Sequence, residues 1–166
     1  MSIFLVGMMG SGKSSVGIKL SEILEKEFVD LDGKIERDFD MKITDIFHEF
    51  GEEKFRDLES AALEELCDYP NIIVATGGGV LQREQNASLL MQKRVYFLDA
   101  SPKKLYQRAS KRKFNRPKMK NLSLREFVEL YNERSNLYSS VADVTINTDE
   151  LTPIQIAKKI KRHESN

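Results

Sequence analysis

The sequence predicts a three-layer α/β/α fold, a five-stranded parallel sheet flanked by helices, and two observations carry that expectation. Five short runs rich in β-branched and apolar residues recur between stretches of helical period: Ile3 to Val6, Phe28 to Leu31, Ile72 to Ala75, Val95 to Leu98 and Val144 to Ile146. Strands separated by helices pair in parallel, because a parallel pair needs a long crossover and a helix supplies it. The second observation is the octapeptide GMMGSGKS, Gly7 to Ser14, which stands where the first run ends and a helical pattern begins.

Each element follows in turn. The first helix is expected to start within the glycine-rich loop near Lys13 and to end near Lys26, since Val16, Leu20, Ile23 and Leu24 share one face. Between the second and third strands the chain reads as helical segments, with Phe55, Leu58, Ala62 and Leu66 forming an apolar stripe along the last. Ser101 followed by Pro102 reads as an N-cap with proline at the first helical position. Ser123 with Glu126, and Thr152 with Gln155, each fit a capping box, in which the two side chains exchange hydrogen bonds with each other's backbone N–H. The helix opening at Pro153 places Ile156, Ala157 and Ile160 on one side and is expected simply to pack against the sheet. Ser110 to Leu122, SKRKFNRPKMKNL, has no apolar period and reads as a mobile excursion, a candidate lid.

A chain of 166 residues suits one domain with a single core, so residues 1–166 are read as one unit. With 40% hydrophobic and 31% charged residues, wholesale disorder is excluded. The apolar run Ile3 to Val6 meets glycine at once, so neither a membrane span nor a signal-peptide core is read and a cytoplasmic location is expected. The lone Cys67 excludes an internal disulfide, and His48 and His163 do not have zinc-ligand spacing. Any metal is therefore expected to be a hard cation held by oxygen. No unexplained apolar stretch asks for a partner chain, so a monomer is expected.

A net charge of zero hides an asymmetry: residues 22–68 carry 17 acidic and 6 basic side chains, whereas residues 100–125 carry ten basic and none acidic. Three readings fit the basic stretch: a nucleic-acid patch, a solvated face, or a cover for polyphosphate. Only Tyr106 and Phe114 interleave it and the whole chain is not basic, so nucleic acid is not expected as a partner and the cover is preferred.

The octapeptide meets the pattern G-x-x-x-x-G-K-S in full. Its glycines let the backbone curl with N–H groups pointing inward around phosphate oxygens, and the helix that follows aims the positive end of its dipole at them. Gly10, Ser11, Gly12, Lys13, Ser14 and Ser15 are the expected nucleotide contacts. Lys13 would offset charge on the transferring phosphoryl group, and the Ser14 hydroxyl would ligate Mg²⁺.

The acceptor is sought at the carboxyl ends of the other strands, where ligands bind in open parallel sheets. Asp30 and Asp32 flank Leu31, so in an extended strand both side chains would point to one side, one near Mg²⁺ and one near an acceptor hydroxyl. On spacing alone the pair serves equally well as a polar turn before Gly33. Thr76-Gly77-Gly78-Gly79 closes the third strand, and three glycines there suit a backbone that approaches a ligand closely.

At this point the sequence resembles the shikimate kinase family of P-loop small-molecule kinases, over nearly the whole chain. The matching stretches are GMMGSGKSSVG at 7–17, FVDLD at 28–32, ITDIFHEFGEEKFRDLE at 43–59, ATGGGV at 75–80, NRP at 115–117 and ERSNLY at 133–138. The resemblance implies that ATP, with Mg²⁺, phosphorylates the 3-hydroxyl of shikimate in aromatic amino-acid biosynthesis. It implies a substrate-binding insertion over residues 33–60 and a lid over 110–122. Asp32 would bind the ring hydroxyls and orient or deprotonate the attacking one, and Asp30 would hold the Mg²⁺ hydration shell. Arg56 and Arg134 would bind the carboxylate, with Glu59 holding Arg56 in place. Gly77, Gly78 and Gly79 would line the substrate, the last two offering N–H groups to its hydroxyls. Phe47 and Phe55 would wall the carbocycle, although the periodicity of Phe55 fits core packing equally well. Arg116 would close over the phosphates as a catalytic lid residue, and Arg108 would stack near adenine. The lid departs from the family pattern, since Lys118 and Met119 follow Pro117 where two leucines are usual.

Two other readings compete: another kinase of the same fold acting on gluconate or a nucleoside monophosphate, and a non-catalytic nucleotide switch. The joint presence of Asp32, Arg56, the triple glycine and Arg134 favours the shikimate reading over both.

Overall fold

The computed structural model describes residues 1–111 and 121–166. The excursion expected from Ser110 to Leu122 falls largely on residues 112–120, outside the described residues, and with it the lid arginine Arg116.

Among the described residues five strands form one parallel sheet in the order β2-β3-β1-β4-β5: β1 Ile3–Val6, β2 Glu27–Asp30, β3 Ile72–Ala75, β4 Arg94–Asp99 and β5 Val144–Asn147. The central strand β1 pairs on both sides, with Phe4 opposite Val74 and Val95. Side chains alternate across a strand, so Phe4 and Val6 enter one core and Ile3 and Leu5 the other. Both faces are covered, which is why β1 reads as a continuous apolar run rather than an alternating one. On the Ile3/Leu5 face lie α1 (Lys13–Leu24) and α7 (Pro153–Glu164), contributing Val16, Leu20, Ile156 and Ile160. On the other face lie α2 (Leu31–Phe39), α3 (Ile43–Asp68), α4 (Glu84–Leu90), α5 (Pro102–Ser110) and α6 (Leu124–Val141). The expected three layers are present.

All three helix starts fall where their sequence signals place them, and two of the three carry a side-chain cap. Ser123 and Thr152 both form complete capping boxes, with Glu126 and Gln155. Ser101 precedes α5 as expected, but its side chain makes no cap; its backbone N–H donates instead to Asp149 Oδ1 at 2.9 Å. The apolar stripe of α3 is also where it was expected, with Phe55, Ala62 and Leu66 buried. A bend at Gly51, at φ 82° and ψ 173°, lets the two halves of α3 face different directions.

One strand ends earlier than its sequence suggests. The second run was expected to stay extended through Leu31, but Asp30 caps a helix by accepting from the Gly33 N–H at 3.1 Å, and Leu31 begins α2. An aspartate three residues before an unsatisfied helical N–H is a strong N-cap, and that local preference outweighs the β character of Leu31. The extended-strand geometry expected for Asp30 and Asp32 is therefore wrong: Asp30 ends the strand and Asp32 sits in the first helical turn.

Candidate functional site

At β1 the strand order reverses, which opens a crevice beyond the carboxyl ends of the strands. A cleft of about 420 Å³ occupies that position, lined by the loop after β1, the first turn of α2, α3, the glycine loop after β3, α5, α6 and the start of α7. All the sequence-predicted site residues among the described ones line it.

The phosphate loop forms one end. Gly12 precedes α1 at φ 86°, in the left-handed region that L side chains rarely adopt, so the sharp entry into the helix needs glycine there. No side chain caps α1, which leaves its first N–H groups to a ligand. Lys13 Nζ donates to the loop's own Gly7 and Met8 carbonyls at 2.7 and 3.0 Å and to Ser11 Oγ at 3.4 Å. Gly10, Ser11, Ser14 and Ser15 line the same end. Ser14 Oγ donates to Asp30 Oδ2 at 2.5 Å, so a hydroxyl and a carboxylate stand side by side as hard oxygen ligands. No cluster of three or more His, Cys, Asp or Glu side chains suited to a metal exists among the described residues. The donor set thus fits a Mg²⁺ ion that takes the rest of its coordination from water and phosphate oxygens.

Opposite lie two buried arginines. Arg56, 6% exposed, comes from the second half of α3, and its Nη1 donates to Glu59 Oε1 at 2.6 Å one turn along. Glu59 is 1% exposed, so this is a buried pair and not the exposed one that spacing also allowed. Burial pushes the Glu59 carboxyl above its ordinary value, while Arg56, Arg134 and Arg83 pull it back. Arg134, 5% exposed, points in from α6. Among the described residues nothing accepts from Arg56 Nε or from Arg134 Nε and Nη2. Buried donors left unpaired cost about 1–3 kcal/mol each, so such a set marks a place prepared for an acceptor.

The glycine loop closes the site. A Cβ on Gly79 would fall 2.5 Å from Arg56 Nη2, so glycine lets the backbone pass this guanidinium without displacing it. Gly77 lies between carboxylates: a Cβ there would fall 2.9 Å from Glu59 Oε2 and 3.1 Å from Asp32 Oδ1. Gly78 sits between Met9 of the phosphate loop and Arg134 Nη1. Thr76 lines the cleft, but its hydroxyl is spent on the Leu5 carbonyl at 2.9 Å, tying β3 to β1. Phe47 and Phe55 stack with ring centroids 4.8 Å apart, and the Arg56 guanidinium lies 5.1 Å from the Phe55 centroid. Phe55 is buried in the core and also lines the cleft.

Arg108 lines the third side, its Nη1 3.5 Å from Thr148 Oγ1. Beside it Leu151, Pro153 and Ile156 complete an apolar flank that sequence reasoning did not assign. The last helix therefore does more than pack against the sheet. Its first turn faces the cleft, because Pro153 sits at the helix start and Ile156 follows one turn later. Tyr138, one turn beyond Arg134 on α6, was also unassigned, and its hydroxyl donates to the Gly78 carbonyl. No helix among the described residues is long and apolar enough to cross a membrane.

Comparison with known proteins places these observations in a family. The family model for shikimate kinase matches residues 9–163. A shikimate kinase from Streptococcus suis is 43% identical over 164 residues, covering 96% of this chain and 98% of that relative. A bifunctional shikimate kinase/3-dehydroquinate synthase from Thermotoga maritima is 38% identical over 167 residues, of which this chain spans only 33% of the length. The structure of a shikimate kinase from Acinetobacter baumannii in complex with shikimate superposes with a TM-score of 0.93 at 35% identity, covering 99% of this chain and 92% of that one.

Proposed function

This chain belongs to the shikimate kinase family of ATP-dependent kinases, and we propose how its residues divide the work of phosphorylating the 3-hydroxyl of shikimate. The observation that carries the division is a single cleft with a phosphate loop at one end and, at the other, two buried arginines holding donors without acceptors.

Shikimate supplies one carboxylate, and Arg56 and Arg134 supply planar guanidinium donors that match it. Phe47 and Phe55 hold the apolar ring, while Gly78 and Gly79 offer N–H groups to its hydroxyls. At the donor end Gly10 to Ser15 bind the ATP phosphates, and Lys13 exchanges its contacts with the Gly7 and Met8 carbonyls for phosphate oxygens. Ser14 would hold Mg²⁺ and Asp30 would hold it through water, and the ion would supply charge neutralisation at the phosphates. Arg108 and the flank of Leu151, Pro153 and Ile156 take the base of ATP. Arg116, outside the described residues, would add its charge at the phosphates, as the family resemblance implies.

Asp32 orients the 3-hydroxyl and takes its proton at a carboxylate oxygen. As the oxygen attacks the γ-phosphorus, the bond from that phosphorus to the ADP oxygen breaks, giving shikimate 3-phosphate, ADP and the proton. Transition states of this kind are loose, so the main contribution of the site is to place the hydroxyl and to neutralise charge. On this division of work one domain acting as a monomer suffices for the reaction.

ADP release measured with ATP, Mg²⁺ and either shikimate, gluconate or a nucleoside monophosphate tests the assignment. Release should depend on shikimate alone. A rate that is the same with and without shikimate overturns it.

A further inference from the structure

The N–H groups of Gly78 and Gly79 make no hydrogen bond to the described residues, and they belong to a loop with little side-chain mass to hold it. Something must fix which way those groups face. The Gly78 carbonyl accepts from Tyr138 Oη, and the same hydroxyl lies 3.7 Å from Met8 Sδ in the phosphate loop. Tyr138 is 1% exposed, with its ring 5.2 Å from that of Phe97, and burial pushes its phenol up to about 12, so it stays a protonated donor throughout the physiological range. The Gly78 carbonyl and the Gly79 N–H share one trans peptide plane and point in opposite directions. Anchoring the carbonyl toward α6 therefore turns the Gly79 N–H the other way, at a residue that lines the cleft beside Arg56.

We propose that Tyr138 is a positioning residue for the acceptor: its hydroxyl pins the Gly78–Gly79 peptide so that the Gly79 N–H is preset toward a substrate hydroxyl. The inference rests on the assignment of shikimate to this end of the cleft. The turn bond from the Val80 N–H to the Gly77 carbonyl survives a flip of its central peptide, so without the hydroxyl that peptide loses its one fixed sense and part of the binding energy goes into restoring it each time substrate enters. The buried ring and its contact with Phe97 are a separate, structural matter, which phenylalanine preserves.

The test is Tyr138→Phe, with steady-state kinetics for both substrates and a thermal melt. Loss of one orienting hydrogen bond should raise KM for shikimate about five- to tenfold, leave KM for ATP within about twofold, and leave kcat and the melting temperature close to the parent. An unchanged KM for shikimate overturns the proposal, and so does an equal rise for both substrates, which would mean the hydroxyl only holds the fold. Arg134→Ala separates this failure from that of the underlying assignment. If Arg134→Ala raises KM for shikimate and Tyr138→Phe does not, Tyr138 alone is misassigned; if neither does, the substrate lies elsewhere.

Discussion

The two ends of the cleft are built on different principles. The phosphate loop of the donor end is local: one run of contiguous residues, shaped by left-handed glycines, in which Lys13 donates to the loop's own carbonyls at 2.7 and 3.0 Å. The acceptor end is assembled from Asp32 on α2, Phe47 to Glu59 on α3, the glycine loop and Arg134 on α6. It also keeps buried guanidinium donors with no acceptor among the described residues. The Lys13 charge at the first end is thus satisfied within the loop itself. The second holds its desolvated charges in place by surrounding packing, so it is preorganised for an anion at a cost in stability. Changes at the phosphate loop should therefore act on turnover, and changes at the acceptor end, apart from Asp32 at the reacting hydroxyl, on one substrate's binding and on the fold.

The largest effect should come from Lys13→Met, which keeps the side-chain length and removes the charge. Loss of one charge-stabilising donor at the transferring group should lower kcat about 10²- to 10³-fold. Shikimate should still raise the melting temperature of the variant, because nothing at its end of the cleft has changed. A variant that turns over normally, or that no longer responds to shikimate, would erase the distinction between the two ends.

Arg134→Ala should give the next largest effect. It removes a charge-assisted contact to a carboxylate, worth about 1.5–3 kcal/mol, so KM for shikimate should rise roughly ten- to hundredfold. KM for ATP should stay near the parent value. A matching rise for ATP would place this arginine on the donor instead.

The same contrast explains what the sequence makes legible. The sheet and the phosphate loop depend on short-range patterns, apolar runs and glycine spacing, and these survive in one dimension. The acceptor residues have no such spacing, and apart from Asp32 and the glycines they were assigned through family resemblance. Even the Asp30 and Asp32 pair was read with the wrong backbone, because the capping preference of Asp30 competes with the β character of Leu31 and wins. Leu151, Pro153 and Ile156 carry no functional signal in the sequence, and Tyr138 little, since each owes its place to how α6 and the start of α7 pack on the sheet. A faint clue existed for Tyr138: it lies four residues beyond Arg134, hence on the same helical face.

The smallest predicted effect concerns pH and probes the stability cost of the acceptor end. Burial raises the Glu59 carboxyl above its ordinary value even though Arg56 donates to it at 2.6 Å. A raised carboxyl binds its proton more tightly in the folded chain than in the unfolded one. Its contribution to stability is therefore complete below the unfolded value, near 4.5, and is lost as pH rises through the folded value. Glu59→Gln cannot titrate and should lack that decline. Urea unfolding of both proteins without ligands, followed upward from about pH 4, should give a wild-type curve that falls relative to the variant's. The slope is the relevant quantity, because exchanging a carboxyl for an amide also alters the hydrogen bond to Arg56 and so shifts the variant's whole curve by an offset that does not vary with pH. Parallel curves would mean that Arg56 and Arg134 fully offset the burial of Glu59, and the acceptor end would then be as self-satisfied as the phosphate loop.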